Sequence, residues 1–322
     1  MSVEPTTHPR TQRSRLERVA RLVVLALILA GVLVALLVSL HRAFQVDEVE
    51  HMHAGYHVAS GRLPYVEFWQ LHDPLLYGML GPITDPGDPR ASYRRGRALM
   101  LLLLVGTAGA AAAAAGRLAG REGAALAAGL LLLHTTFVER GIEVRPDGLA
   151  AFLATLALAL ELGPRAERPA VGFARGALLA LAVLATKKSL FVVGLFGLWW
   201  LARAGGRRRL APLTPILGLL ATAAVASFAM LALGNLEPYL RATWLTSAEA
   251  VGGSEVWVPF GPWGFLVREG ARNLAFVVVA ASGWIACLAL AVGERAEDRR
   301  LLFPALLAAG AVASRWLQPF PW

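Results

Sequence analysis

The stretch Leu22-Val-Val-Leu-Ala-Leu-Ile-Leu-Ala-Gly-Val-Leu-Val-Ala-Leu-Leu-Val-Ser-Leu40 contains no charged residue. A helix of about 20 such residues crosses the hydrocarbon core of a bilayer. The segment before it is polar and carries Arg10, Arg13, Arg15, Arg18 and Arg21. The apolar run is too long for a signal-peptide core and lacks a small-residue cleavage pattern, so it reads as a retained first span. The basic amino terminus then belongs in the cytoplasm.

The whole chain agrees with that opening. Of its 322 residues 57% are hydrophobic and 16% charged, against about 45–50% and about 25% in ordinary soluble domains. Mean hydropathy is +0.56, which excludes a soluble globule. The net charge of +9 resides in arginines that sit in short clusters between apolar runs. That distribution fits orientation signals, and no nucleic-acid partner is expected. The single cysteine, Cys287, lies inside an apolar run, which rules out an intrachain disulfide and a cysteine-based zinc site.

Further spans are expected at 98–115, 124–138, 148–160, 171–186, 189–202, 213–233, 274–292 and 301–313. The runs around Gly148, Ser189 and Leu301 are short, in the range of tilted, half-buried or re-entrant helices. With a cytoplasmic amino terminus, four arginine-bearing connections fall on the cytoplasmic side. They hold Arg117 with Arg121, then Arg165, Arg168 and Arg175, then Arg203 with Arg207, Arg208 and Arg209, then Arg295, Arg299 and Arg300. One long helix over 171–202 would invert that parity, so two helices are expected there, with Lys187 and Lys188 at the outer turn. The alanine run 110–115 reads as close helix packing. The expected class is an all-α integral membrane bundle of about nine spans. Its parts are a cytoplasmic tail 1–21, a first span 22–41, an outer loop 42–97, a core 98–233, a second outer loop 234–272 and terminal spans 273–322. No internal repeat of 20–50 residues supports a solenoid or an inverted-repeat transporter.

The two long outer segments are where function is expected. The first begins Phe44-Gln-Val-Asp-Glu-Val-Glu-His-Met-His-Ala-Gly-Tyr-His57 and continues through Ser60-Gly-Arg-Leu-Pro-Tyr65 to Glu67-Phe-Trp-Gln-Leu-His-Asp-Pro-Leu-Leu-Tyr77. Helical spacing puts Asp47, Glu50, Ala54 and His57 on one stripe and His51 a turn beyond Asp47. Gly61 ends this interfacial helix and Pro64 stops its continuation. A carboxylate fixed on the end of a spanning helix has little freedom to retreat into water, and such groups concentrate at functional sites. The second outer segment holds Tyr239, Trp244, Trp257 and Trp263 with Glu237, Glu249 and Glu255; its aromatics read as an interfacial belt, and no site is assigned there.

Asp47-Glu48 after the first span, His51 and His53, Gly61-x-x-Pro64-Tyr65, Glu67-Phe68 and His72-x-Pro74-Leu75 resemble the first outer loop of GT-C superfamily glycosyltransferases. The likeness is to the lipid-linked-sugar transferases related to protein O-mannosyltransferases, aminoarabinose transferases and rhizobial lipopolysaccharide core transferases. Glu143-x-Arg145-Pro146-Asp147-Gly148 and Thr186-Lys187-Lys188-Ser189 are similar to further pieces of that pattern. The resemblance covers roughly residues 20–200. The chain's end at Gln318-Pro-Phe-Pro-Trp322 reads as a truncation, since members of the family usually continue, and Glu67 and His72-Asp73 depart mildly from the pattern.

The resemblance implies transfer of a sugar from a polyprenyl-phosphate donor to a lipid, glycan or protein acceptor, with inversion. The reaction would take place on the outer, periplasmic face of the cell (inner) membrane. It implies Asp47 as general base, with Glu48 orienting sugar or acceptor, because neighbours on a helix point about 100° apart. His51, His53, Glu67, His72, Arg145 and Asp147 become substrate-binding candidates. The leaving phosphate needs cations, for which Lys187, Lys188, Arg145 and His72 stand near the outer surface. Both lysines of the chain stand together there among 31 basic residues, and an ammonium is a good point charge for phosphate. Capping of the helix that follows explains Arg145-Pro146-Asp147-Gly148 equally well. No cofactor is expected. The alternative is a divalent ion at Glu50, His53, His57 or Asp47, since the first three fall at i, i+3 and i+7. The rival functions are a non-catalytic relative that binds lipid-linked sugar and a proton-coupled transporter. The transporter calls for ionisable residues at mid-depth, which only His134 and Arg175 approach.

Overall fold

The computed structural model describes residues 9–204 and 213–246. The expected spans 274–292 and 301–313, the cluster Arg207, Arg208 and Arg209, and the second outer segment beyond residue 246 lie outside the described residues. The described chain is helical throughout: α1 (Pro9–His41), α2 (Val46–Ala59), α3 (Leu75–Leu80), α4 (Pro89–Leu133), α5 (Thr135–Gly141), α6 (Pro146–Glu161), α7 (Pro169–Ala185), α8 (Leu190–Ala204), α9 (Leu213–Ala232) and α10 (Leu236–Tyr239). A 3₁₀ turn at Lys187–Ser189 joins α7 to α8, and a π-helical segment, Leu240–Leu245, follows α10.

Among the described residues, three helices are long and apolar enough to cross a membrane: Leu22–His41, Pro89–Leu133 and Leu213–Ala232. Leu22, Leu29 and Leu33 of α1 are 61%, 59% and 54% exposed. So large an apolar face without protein cover fits a lipid environment.

The helix α4 is interrupted at Ala119 and Gly120, where Gly120 adopts φ +69°. That left-handed conformation suits glycine. Beyond the break the chain runs back, for Leu104 packs with Val138, Ile142 and Ala35 in one apolar cluster. The two arms correspond to the expected spans 98–115 and 124–138, with Arg117 and Arg121 flanking the bend. The second arm is shorter than expected. It stops at Leu133 because the His134 ring accepts a hydrogen bond from the Phe137 amide at 3.0 Å and starts α5 instead.

A second reversal falls at Lys187–Ser189, after which Phe196 and Trp200 pack back on Leu179. The expected pair of helices, rather than one long one, is what forms. Arg175, which falls within the expected span 171–186, lies in the second turn of α7, buried, and is paired with Glu161 at the end of α6. The indole nitrogens of Trp199 and Trp200 donate to the same carboxylate at 3.0 and 3.1 Å. Pairing and hydrogen bonding offset the cost of burying both charges.

The α7–α9 contact is made by small residues. At Gly176 an added Cβ would run into the backbone at Pro215, and at Gly218 into the backbone of Phe173. Such backbone approach is how helices associate where lipid removes the hydrophobic drive. Toward the α2 end of the bundle, Met52, Leu76, Leu80, Met100, Val144, Leu149, Ala182 and Ala185 form the main core cluster. It gathers α2, α3, α4, α6 and α7 under one surface and so positions the site.

Candidate functional site

The site is built on α2. Its start is fixed by Glu48, whose Oε2 accepts the Gln45 amide at 3.0 Å, a reciprocal cap of the first turn. Its end is set by Gly61 at φ +79°. Glu48 is 0% exposed. Arg97 holds it with Nε at 2.9 Å from Oε1 and Nη2 at 2.8 Å from Oε2, while the Val144 amide donates at 3.3 Å. Arg97 also donates to the carbonyls of Ser39, Arg42 and Ala43. Burial alone would raise the Glu48 carboxyl, but the Arg97 guanidinium and the two amides hold it below its ordinary range. This corrects the substrate-orienting role expected of Glu48: with no exposed surface and its lone pairs occupied, it ties α1, α2 and α4 together.

Its neighbour turns outward. The Asp47 side chain is 49% exposed and its Oδ2 lies 2.9 Å from Arg145 Nη2. Arg145, the residue before α6, places Nη1 3.3 Å from Glu143. Asp147, in the first turn of α6, meets the Lys188 ammonium at 3.1 Å, with side chains 44% and 36% exposed. Two imidazoles lie within electrostatic reach of these ion pairs, His51 of Arg145 and Asp147, and His72 of Lys188 and Asp147. His51 is 1% exposed, its ring centroid 4.9 Å from that of His72 and its Nδ1 3.3 Å from the Tyr77 hydroxyl. Burial, then the charges of His72 and Arg145, push its pKa down to about 3, so the ring is neutral. His72 reaches toward Glu50 at 3.8 Å, and burial lowers its pKa against the opposing pull of Glu50.

Asp47, His51, His72, Arg145, Asp147 and Lys188 are thus drawn into one region from α2, the 72–73 loop, the start of α6 and the 187–189 turn. The other candidates part from it. Lys187 gives its backbone amide to Asp73 at 2.8 Å and its ammonium to the Thr243 carbonyl. Burial lowers its pKa. The two lysines therefore serve different neighbours. His53 is exposed and packs edge-on against His57 at 4.3 Å. Glu67 accepts the Leu63 amide at 2.6 Å and so closes its own turn. Ala54, on the expected stripe, is 1% exposed and faces the core. Among the described residues no three His, Cys, Asp or Glu side chains are gathered to hold a metal ion, and Glu50 is turned toward His72.

Three residues outside the expected set support the site. Glu143 is 0% exposed and lies among Arg42, Arg140 and Arg145. Arg97 anchors Glu48. Asp73 accepts the Tyr239 hydroxyl at 2.8 Å and the Lys187 amide, and burial raises its pKa. Glu143 and Asp73 stand inside the quoted motifs, but their burial depends on partners far along the chain. No known family model matches the chain, and no curated protein is significantly similar to it.

Proposed function

We propose that this chain is an integral membrane glycosyltransferase of GT-C type, with about nine spans, a cytoplasmic amino terminus and its site on the outer face of the cell membrane. It takes a sugar from a polyprenyl-phosphate donor and passes it to a lipid, glycan or protein acceptor, with inversion. The observation that carries the proposal is the half-exposed Asp47 carboxylate, 2.9 Å from Arg145, in the same region as the Asp147–Lys188 pair and two imidazoles. An exposed base beside fixed cations at one helix-end surface is the arrangement this transfer needs.

In the reaction the acceptor hydroxyl gives its proton to Asp47 as its oxygen bonds to the anomeric carbon. The bond from that carbon to the donor phosphate breaks, and its electron pair leaves with the polyprenyl phosphate. Arg145 and Lys188 stabilise that charge, helped by the positive amino end of α6. His72 supplies a hydrogen-bonding edge to the sugar without repelling either cation, while His51, 1% exposed, packs behind it and holds its ring in place, away from the substrate-binding role expected of it.

Incubation of membranes with a labelled polyprenyl-phosphate sugar tests the proposal. Wild type transfers label, and Asp47→Asn loses about 10²–10⁴-fold in rate. Equal rates in both would remove Asp47 from the base role. No transfer by wild type would favour a protein that only binds lipid-linked sugar.

A further inference from the structure

Glu143 sits in the short connection between α5 and α6 with no exposure to solvent. Three guanidiniums converge on it: Arg42 at 2.9 Å, Arg140 at 3.0 Å and Arg145 at 3.3 Å. One cation neutralises a buried carboxylate, and the others need a different reason. Arg42 also donates to the Glu139 carbonyl at 2.6 Å, so it clamps the connection to the end of α1. Arg140 is 58% exposed and closes the i, i+3 pair on the same segment. Both hold Glu143 in place.

Arg145 differs from the other two. One nitrogen rests on Glu143, which is enclosed and pinned; the other rests on Asp47, which is half open. A rigid planar fork split between a fixed anion and an accessible one is a pivot. While Arg145 occupies its Oδ2 at 2.9 Å, Asp47 does not have that oxygen open to an acceptor hydroxyl. An incoming phosphate offers Arg145 a stronger, doubly oxygenated partner.

We infer that Glu143 is a positioning residue, the pivot on which Arg145 exchanges Asp47 for the donor phosphate. The inference rests on the transferase reading and adds an order to it. Before the donor binds, Arg145 holds Asp47 as an ion pair. When phosphate arrives, the outer nitrogen moves to it while the inner one stays on Glu143, and Asp47 is released to take the acceptor's proton. Donor binding thus precedes activation of the base, and no covalent bond changes in the exchange.

A double-mutant cycle on phosphate binding tests this. The full-length chain in lipid nanodiscs is titrated with tritiated polyprenyl phosphate, with polyprenol as the uncharged control, for wild type, Glu143→Gln, Arg145→Gln and the double variant. Glu143→Gln is expected to weaken binding about tenfold in the wild-type background, the scale of one charge-assisted hydrogen bond, and to have no effect once Arg145 is Gln. Glu143→Asp, which keeps the charge, recovers part of the loss and carries the cycle if Glu143→Gln does not fold. A Glu143 that acts only as a negative charge would tighten binding in both backgrounds on removal, and one that only holds the fold would weaken both equally. Either result overturns the inference and leaves the transferase reading standing. Wild type that retains polyprenyl phosphate no better than polyprenol overturns both.

Discussion

Asp47 and Glu48 are adjacent in sequence and opposite in fate. Asp47 is half exposed against Arg145, and Glu48 is enclosed against Arg97. That an acid-rich segment would carry a helix, and that its two first acids would diverge, follows from local spacing. Which one turns inward depends on Arg97, a residue in the third turn of the next long helix, and no local pattern encodes that choice. His53 and Glu67 show the same gap, since residue type named them as candidates but neighbours on their own turns, His57 and Leu63, hold them. His51 gives a measurable consequence at this scale. Its folded-state pKa is about 3, below the unfolded value of about 6.5. Between those values the unfolded chain binds more protons, so the folded state loses stability as pH falls from about 6.5 toward 3. The cost reaches about 2 kcal/mol by pH 5, taking about 1.36 kcal/mol per unit. Thermal unfolding between pH 7 and 5 should show this slope in wild type and a shallower one in His51→Gln. Identical slopes would mean the imidazole is not held neutral.

At the scale of elements, apolar runs were legible because the bilayer imposes a length that composition alone reveals. The end of one was not. The run 124–138 continues past Leu133 in hydropathy, yet His134 caps a new helix there, because a ring nitrogen meeting an amide outweighs a few more apolar residues. Arg175, a charge inside an apolar run, likewise has no visible partner in the sequence until Glu161 at the end of α6 is seen beside it. The α7–α9 contact depends on small residues that the sequence does show, Gly172 and Gly176 against Thr214 and Pro215, and Gly218 against Phe173. Gly176→Leu would force the two backbones apart, at about 1–3 kcal/mol or more. Thermal denaturation in detergent should register a lower midpoint, whereas Gly194→Leu, which has open space at its Cβ, should leave it near wild type. Equal midpoints for the two would argue against close α7–α9 packing.

For the whole molecule, the main outcome is that residues far apart in sequence meet. The core cluster under α2, α3, α4, α6 and α7 brings the segment 42–97, the start of α6 and the 187–189 turn to one side. Asp47, Arg145 and Lys188 were recognisable as candidates from their motifs, while their convergence needed both chain reversals, at Gly120 and at Lys187–Ser189. The proposed transfer chemistry depends on that convergence. It is tested most directly by chemical proximity in the membrane. With Cys287 replaced by Ser, Asp47→Cys and Arg145→Cys are introduced together and treated with a short bifunctional thiol reagent. The account predicts an intramolecular cross-link, seen by mass after proteolysis. Two thiols that each react singly but never link to one another would contradict it.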